Sequence, residues 1–148
     1  MKQQLKKENR MRIVLPAISV NEGVARAAVA AFCAQYDPSL SDLADIKCAV
    51  SEAVTNCIVH AYRKREGDVT ITVRRIGEGV RIAVRDHGCG IADVARARQP
   101  LFTTDPQDER SGMGFTVMES FSDRLCVHSI PGRGTTVVMT KYFRTESN

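Results

Sequence analysis

The stretch S-E-A-V-T-N-C-I-V-H-A-Y at residues 51–62 decides how the rest of the chain is interpreted. It places Glu52, Asn56 and His60 four residues apart, so on an α-helix these polar side chains share one face, away from the apolar stripe. A carboxylate can accept a proton or orient a nucleophile, and a carboxamide oxygen one turn later can ligate a hard cation such as Mg²⁺. Taken alone, the pattern is also typical of a solvated polar face.

Hydrophobic periodicity on either side predicts the order β-α-α-β-β-loop-α-β-β. The predicted elements are a strand at 12–17, a helix capped by Asn21 that ends before Asp37, a helix from about Ser41 to about Tyr62, hairpin strands at 69–74 and 80–84, a helix at 113–121, and strands at 125–127 and 135–143. Val24, Ala28 and Phe32 are expected to form the buried face of the first helix. Because the strands cluster late, we expect an α+β fold: a two-layer α/β sandwich whose mixed sheet is covered on one face by helices. No repeat or linker interrupts residues 1–148, which predicts a single domain behind a polar leader at 1–11.

Eight of the ten glycines fall in G-x-G pairs, and the pairs 88/90 and 112/114 bracket a long polar loop at 91–111. Glycine permits close backbone approach to a ligand, and a helix that begins after glycines is a natural phosphate site. Asp86 precedes the first pair, where it can accept a hydrogen bond from an exocyclic amine, although a turn-capping role is also common there. Arg110 precedes the second pair, where it can reach a phosphoryl group or remain solvated. No G-x-x-x-x-G-K-[ST] occurs, which excludes a P-loop protein.

Composition excludes several classes of protein. The 148 residues are 43% hydrophobic and 26% charged, as in globular rather than disordered chains. The longest apolar run, at 27–34, is far shorter than the ~20 residues that span a bilayer, so no membrane association is expected. Lys and Arg number 21 against 17 Asp and Glu, and Trp is absent, so direct nucleic-acid binding through the basic residues of 2–12 is disfavoured. Five cysteines without a C-x-x-C pair indicate free, buried thiols in a reducing cytoplasm.

The motifs in combination are more specific than any one of them. The order S-E-A-V-T-N-C-I-V-H-A-Y (51–62), D-H-G-C-G-I (86–91), R-S-G-M-G-F (110–115) and G-T-T-V (134–137) resembles the motif series of the GHKL ATPase superfamily, which includes gyrase and the histidine kinases. That resemblance implies the Bergerat nucleotide-binding fold, with ATP or ADP and Mg²⁺ as ligands.

The resemblance also implies a role for each matching position. Glu52 corresponds to the catalytic base, Asn56 to the Mg²⁺ ligand, Asp86 to the residue that binds the adenine amine, and Arg110 to a catalytic arginine near the γ-phosphate. Residues 92–111 correspond to an ATP lid. The remaining nucleotide-binding positions implied by the resemblance are Gly88, Gly90, Thr103, Thr104, Ser111, Gly112, Met113, Gly114, Thr135 and Thr136.

A narrower resemblance covers nearly the whole chain, from Arg12 to Phe143. N-E-G-V-A-R-A-A-V-A-A-F (21–32), R-Q-P-L-F-T-T (98–104) and E-R-S-G-M-G-F (109–115) are similar to the sporulation anti-sigma F factors, a family of serine-protein kinases. The resemblance implies phosphorylation of an anti-anti-sigma factor, inhibition of a sigma factor of the sigma F type, a homodimer, and Arg26 on the partner-binding surface. The alternative is a stress-response-type anti-sigma factor, or a nucleotide-gated sigma-binding module without significant kinase activity.

Overall fold

A computed structural model describes residues 9–63, 65–100 and 114–144. The elements are β1 (Arg10–Pro16), α1 (Val20–Ala34), α2 (Leu40–Asn56), a π-helical turn (Cys57–Ala61), β2 (Asp68–Ile76), β3 (Gly79–Asp86), α3 (Val94–Ala97), α4 (Gly114–Ser120), β4 (Arg124–Ile130) and β5 (Gly134–Tyr142). Helices lie on one face of one sheet, so the predicted order of elements and the two-layer α+β fold are confirmed. In this part of the chain no helix is long and apolar enough to cross a bilayer.

The sheet has the strand order β1-β2-β3-β5-β4, and all four pairings are antiparallel. The prediction of a mixed sheet was therefore wrong. Two helices in succession separate β1 from β2, and such a helical hairpin returns the chain to the end of the sheet that it left. The crossover from β3 to β4 gives two strands of the same direction, but β5 inserts between them, so no parallel pair forms.

The core lies between the sheet and the two long helices. The alternation predicted for the hairpin is confirmed, because the six inward residues of β2 and β3 are each at most 1% exposed. These are Val69, Ile71, Val73, Val80, Ile82 and Val84. Ile46, Val50 and Val54 of α2 pack into the same cluster, as the stripe on that helix predicts. Burial of each such side chain stabilises the fold by about 1.5–3 kcal/mol, so α2 is held firmly against the sheet.

The first helix differs from its prediction. It begins at Val20, with Asn21 already inside its first turn and donating from Nδ2 to the carbonyl oxygen of Pro16 at 2.9 Å. Val24 is 51% exposed, and Ala28 is only partly buried. Phe32 is buried as predicted, but it shares the buried face with Ala25, Val29, Ala30 and Cys33. Alanine occurs all around this helix, so its periodicity does not define a single apolar face.

Two smaller predictions also need correction. The first strand begins at Arg10 rather than at residue 12, because Arg10 pairs with Arg74 of β2, so the predicted leader at 1–11 overlaps the sheet. The five cysteines are free, as predicted, but only two of them are buried. Cys33 and Cys57 are buried, Cys126 is partly buried, and Cys48 and Cys89 are exposed.

The second helix does not continue as an α-helix to Tyr62. Its α-helical part ends at Asn56, and the next five residues form a π-helical turn, closed by the Tyr62 N–H donating to the carbonyl oxygen of Cys57 at 3.0 Å. The Tyr62 hydroxyl donates to the carbonyl oxygen of Asp68 at 2.6 Å and accepts from the His87 N–H at 2.8 Å. This wide turn is thereby joined to the start of β2 and the end of β3. Single π-helical turns occur frequently at functional sites.

Candidate functional site

A cleft of about 390 Å³ lies between α2, the π-helical turn and the adjacent ends of β3 and β5. Its volume is within the range of about 300–1,000 Å³ that is usual for small-molecule sites. Seven residues singled out from the sequence line it: Glu52, Asn56, His60, Asp86, Gly90, Gly114 and Thr135. The helical face predicted from the four-residue spacing therefore points into a cavity and not into open solvent.

Asp86 is the buried carboxylate of the cleft, with 5% of its surface exposed. Its Oδ1 accepts from the backbone N–H groups of Gly88 at 2.9 Å and Thr135 at 3.2 Å. The Cys57 thiol is a weak donor to Oδ2 at 3.6 Å. Burial raises the pKa of Asp86, and these hydrogen bonds partly oppose that rise. Because two backbone groups orient Oδ1, Oδ2 is available to a hydrogen-bond donor within the cleft.

The two threonines near the start of β5 point to opposite faces of the sheet. Thr135 is buried, lines the cleft, and lies opposite Asp86 in the ladder between β3 and β5. Its hydroxyl is 2.8 Å from the Ser129 hydroxyl of β4. Thr136 points to the other face, opposite Arg85, because successive side chains of a strand alternate. Thr135 therefore lines the cleft, whereas Thr136 does not.

The glycines after β3 allow backbone segments to approach closely. A Cβ on Gly88 would lie 2.4 Å from the carbonyl oxygen of Ala61, in the π-helical turn, and Gly88 does not line the cleft. Gly90 has φ +73°, and a Cβ there would lie 2.3 Å from the carbonyl oxygen of Ile130. The Cys89 N–H donates to Ala61 at 3.0 Å, which holds this loop against the turn. Gly88 therefore shapes the cleft by packing, whereas Gly90 also forms part of its wall.

Asn56 lies at the junction of α2 with the start of α4. A Cβ on Gly114 would be 2.9 Å from Asn56 Oδ1, so only glycine leaves room for the carboxamide there. Glu52 lines the same cleft one helical turn earlier. Oxygen atoms of this kind suit Mg²⁺, which usually binds one or two protein side chains together with substrate phosphates. Across the described residues no group of three or more His, Cys, Asp or Glu side chains could hold a metal ion.

Several residues that line the cleft were not assigned individually from the sequence, although Asp93 and Arg96 fall within the predicted lid. They include Thr55, Arg63, Ile91, Asp93, Arg96, Phe115 and Val137. Val137 could have been identified, because it lies two residues from Thr135 on the same strand face. Asp93 caps α3 by accepting from the Arg96 N–H at 3.0 Å, which places this short helix beside the cleft. Its position depends on how the loop after β3 folds back, and local periodicity does not indicate that.

Arg26, the predicted partner-binding residue, lies outside the cleft but close to it. Its Nη1 is 3.3 Å from Oε1 of Glu22 and 3.5 Å from the hydroxyl of Ser51, which also hydrogen-bonds to Glu22. The Arg26 side chain remains 45% exposed. Since Ser51 directly precedes Glu52, the surface around Arg26 adjoins the segment of α2 that lines the cleft.

Six further site predictions lie outside the described residues. These are Thr103, Thr104, Arg110, Ser111, Gly112 and Met113. Of the predicted lid at 92–111, the structure describes residues 92–100, which include α3.

Known proteins share both the sequence and the fold. The profile of the "histidine kinase-like ATPase domain" family matches residues 15–141. An anti-sigma F factor of Caldanaerobacter subterraneus subsp. tengcongensis is 54% identical over 134 residues, which cover 90% of this chain and 94% of that protein. The anti-sigma F factor of Bacillus subtilis is 50% identical over 136 residues, with coverages of 91% and 93%.

Two solved structures show the same fold at low sequence identity. The structure of the RsbU and RsbW domains of a Mycobacterium tuberculosis protein superposes with a TM-score of 0.69 at 21% identity, covering 95% of this chain and 34% of that one. A mycobacterial sensor histidine kinase has a TM-score of 0.57 at 15% identity, with coverages of 90% and 99%. These matches confirm the GHKL-type α+β fold. The family profile and the sequence identities establish that the chain belongs to the histidine kinase-like ATPase family and, within it, to the anti-sigma F factors.

Proposed function

We propose that this protein is an ATP-dependent serine kinase that phosphorylates an anti-anti-sigma factor and also binds and inhibits a sigma factor of the sigma F type. The observation that carries the proposal is the convergence of Glu52, Asn56 and Asp86 on one cleft of about 390 Å³. Membership of the anti-sigma F factors supports the regulatory part of the proposal. The ATPase-type family profile supports nucleotide binding.

The residues of the cleft suit the separate tasks of phosphoryl transfer. Asp86 Oδ2 accepts a hydrogen bond from the adenine amine, and Thr135 lies beside it. Glu52, which lines the same cleft, orients the serine hydroxyl and takes its proton. The serine oxygen bonds to the γ-phosphorus as the bond from that phosphorus to the β,γ-bridging oxygen breaks, and ADP leaves. Phosphoryl transfer requires mainly positioning and charge stabilisation, and a base within hydrogen-bond reach contributes roughly 10²–10⁴-fold. In this proposal, Arg110 adds positive charge near the γ-phosphate, and residues 92–111 close over the nucleotide.

Magnesium belongs to the proposal as a partner of the nucleotide. Asn56 Oδ1 is the side-chain ligand that we assign to it, since Gly114 leaves space around this oxygen. Bound with ATP, Mg²⁺ would neutralise charge on the phosphates. Asn56 itself contributes by holding its carboxamide at a fixed position between α2 and α4.

The partner surface is proposed to surround Arg26. Glu22 and Ser51 hold this arginine while much of its side chain stays accessible. A protein bound there would lie next to Glu52, which is where a substrate serine has to arrive. We further propose that the protein acts in the cytoplasm as a homodimer, so that one sigma factor contacts two subunits.

The proposal is tested by incubating the protein with MgATP and its candidate anti-anti-sigma partner, then measuring the partner's intact mass. The expected result is the gain of one phosphoryl group on a serine. Glu52→Gln should retain MgATP binding and lose transfer by roughly 10²–10⁴-fold. Glu78→Gln, on an exposed position of the turn between β2 and β3 and outside the cleft, is the matched control and should keep full activity.

An unchanged partner mass with bound MgATP would refute the kinase. It would leave the alternative, a nucleotide-gated sigma-binding module without significant kinase activity. Transfer by Glu52→Gln at the wild-type rate would instead refute the role of that residue while the kinase stands.

A further inference from the structure

The sheet face that the helices leave uncovered carries a concentration of arginines. Inward residues such as Ile71 and Val73 meet the helices, so their neighbours along each strand point outward. The register between strands places these outward residues in three rows. The arginine row is Arg10, Arg74, Arg81, Thr140 and Arg124; the middle row is Arg12, Thr72, Ala83, Val138 and Cys126; the third row is Val14, Thr70, Arg85, Thr136 and His128.

The three rows contain six arginines and no acidic residue. The net charge of the whole chain is +4, so the remainder of the protein is net negative. Asp68 lies beyond the third row, at the start of β2. Within residues 9–63, 65–100 and 114–144, none of the six arginines takes part in an ion pair. The net positive charge of the protein is therefore concentrated on this face.

The arrangement is unfavourable for the isolated chain. Arg10 lies directly opposite Arg74, and Arg74 lies directly opposite Arg81, on strands whose spacing is about 4.8 Å. Like charges in directly opposed positions destabilise a sheet. All six arginines are exposed. A bound anionic surface would offset this repulsion with favourable contacts between its negative groups and the arginines.

We propose that the three rows dock an acidic, amphipathic segment of a partner protein. The middle row begins with Arg12 on the edge strand and then supplies small and apolar contacts through Ala83, Val138 and Cys126. The rows on both sides of it also carry arginine. A partly apolar centre with arginine at its rim is characteristic of protein interfaces. A nucleic acid has phosphates to offer but no apolar stripe, and the rows contain no aromatic side chain on which a base could stack. A second copy is disfavoured, because the rows hold six arginines and no acidic residue, so two copies of this face would bring positive charge against positive charge.

The docking face is separate from the proposed catalysis, since the rows point away from the helical layer that forms the cleft. Its test uses a fluorescent synthetic amphipathic peptide in which glutamates flank an alanine-leucine stripe. A peptide with lysines in place of the glutamates and a short DNA duplex are the comparison probes. We expect the wild-type protein to bind the acidic peptide best, with an affinity that falls as salt is raised.

Arg74→Glu tests the centre of the arginine row. It should weaken peptide binding about tenfold or more, because a carboxylate there repels the glutamates. It should also raise the thermal midpoint, since the new carboxylate lies between two opposed arginines. Lys47→Glu makes the same change in net charge on the exposed surface of α2 and should leave binding within about twofold. Arg81→Gln, which only removes charge, should give an intermediate loss.

Four outcomes would overturn the proposal. Two concern the wild-type protein: failure to bind the acidic peptide, and tighter binding of the DNA duplex than of the peptide. The other two are a loss of peptide affinity in Lys47→Glu equal to that in Arg74→Glu, and protection of this face by a second copy in hydrogen exchange of the free protein. A lower thermal midpoint in Arg74→Glu would contradict the repulsion on which the argument rests.

Discussion

Substitution of Asp86 by asparagine isolates one hydrogen bond in the proposed nucleotide site. Asparagine has almost the same shape, so the change affects hydrogen-bond character and charge more than packing. Asp86 Oδ1 accepts from the backbone N–H groups of Gly88 and Thr135, at 2.9 and 3.2 Å. The oxygen of an asparagine should occupy that position, because the reverse orientation would oppose an NH₂ group to two backbone donors. The NH₂ group then replaces Oδ2 and opposes the adenine amine, which is also a donor.

The expected loss follows from that donor-donor contact. A hydrogen bond to a charged group contributes about 1.5–3 kcal/mol when its partner is removed. Since about 1.4 kcal/mol corresponds to a tenfold change in Kd, Asp86→Asn should weaken ATP binding roughly 10- to 150-fold.

Protonation of Asp86 in the wild-type protein should likewise weaken ATP binding. Burial raises the pKa of Asp86 above its usual 3.8, so ATP affinity should fall on acidification at a pH where an ordinary aspartate is still ionised.

The assay is isothermal titration of MgATP into both proteins, with thermal unfolding as a check of folding. Asp37→Asn is the matched control, because Asp37 is exposed outside the cleft and asparagine also tolerates its φ of 50°. It should leave Kd within about twofold of the wild-type value. A Kd for Asp86→Asn that is equally unchanged, in a folded protein, would refute adenine recognition by this carboxylate.

Three further predictions concern stability and thiol chemistry. Lys141→Met should lower the free energy of unfolding, measured by urea titration, by about 3–5 kcal/mol. The cause is that the carboxylate of Asp42, which is 1% exposed, loses the buried ammonium group of Lys141 that lies 3.8 Å from it. An unchanged urea midpoint would contradict this prediction. Gly88→Ala should lower the free energy of unfolding by about 1–3 kcal/mol, because the new Cβ would lie 2.4 Å from a backbone oxygen. Gly23→Ala should raise it by about 0.5–1 kcal/mol, because Gly23 is in a helix and the nearest atom to its Cβ would be 3.8 Å away. Equal effects of the two substitutions on thermal unfolding would disprove the packing argument. Burial raises the pKa of the Cys33 thiol to about 12, so at pH 8 iodoacetamide should label the exposed cysteines first, and early labelling of Cys33 by peptide mapping would show that its burial is wrong.

Local patterns were sufficient where the structure depends on neighbours in sequence. The alternation in β2 and β3 predicts which residues are buried because each strand has one covered face. The four-residue spacing of Glu52, Asn56 and His60 predicts a shared face, and all three line the cleft. Periodicity was uninformative in α1, where alanines make several faces equally apolar. It also did not reveal the π-helical turn, whose shape depends on the contacts of Tyr62 with β2 and β3.

The sequence by itself determined the order of elements, the α+β class and the shared helical face of Glu52, Asn56 and His60, because each follows from local periodicity or from an ordered motif. Only the tertiary structure decided which residues meet across strands. Insertion of β5 between β3 and β4 brings Thr135 to Asp86 and turns Thr136 away, and the register of all five strands assembles the arginine row. Strand order and register depend on pairings between residues far apart in the chain. A shift of one residue in register would move every side chain of a strand to the opposite face, so local pattern cannot specify these neighbours.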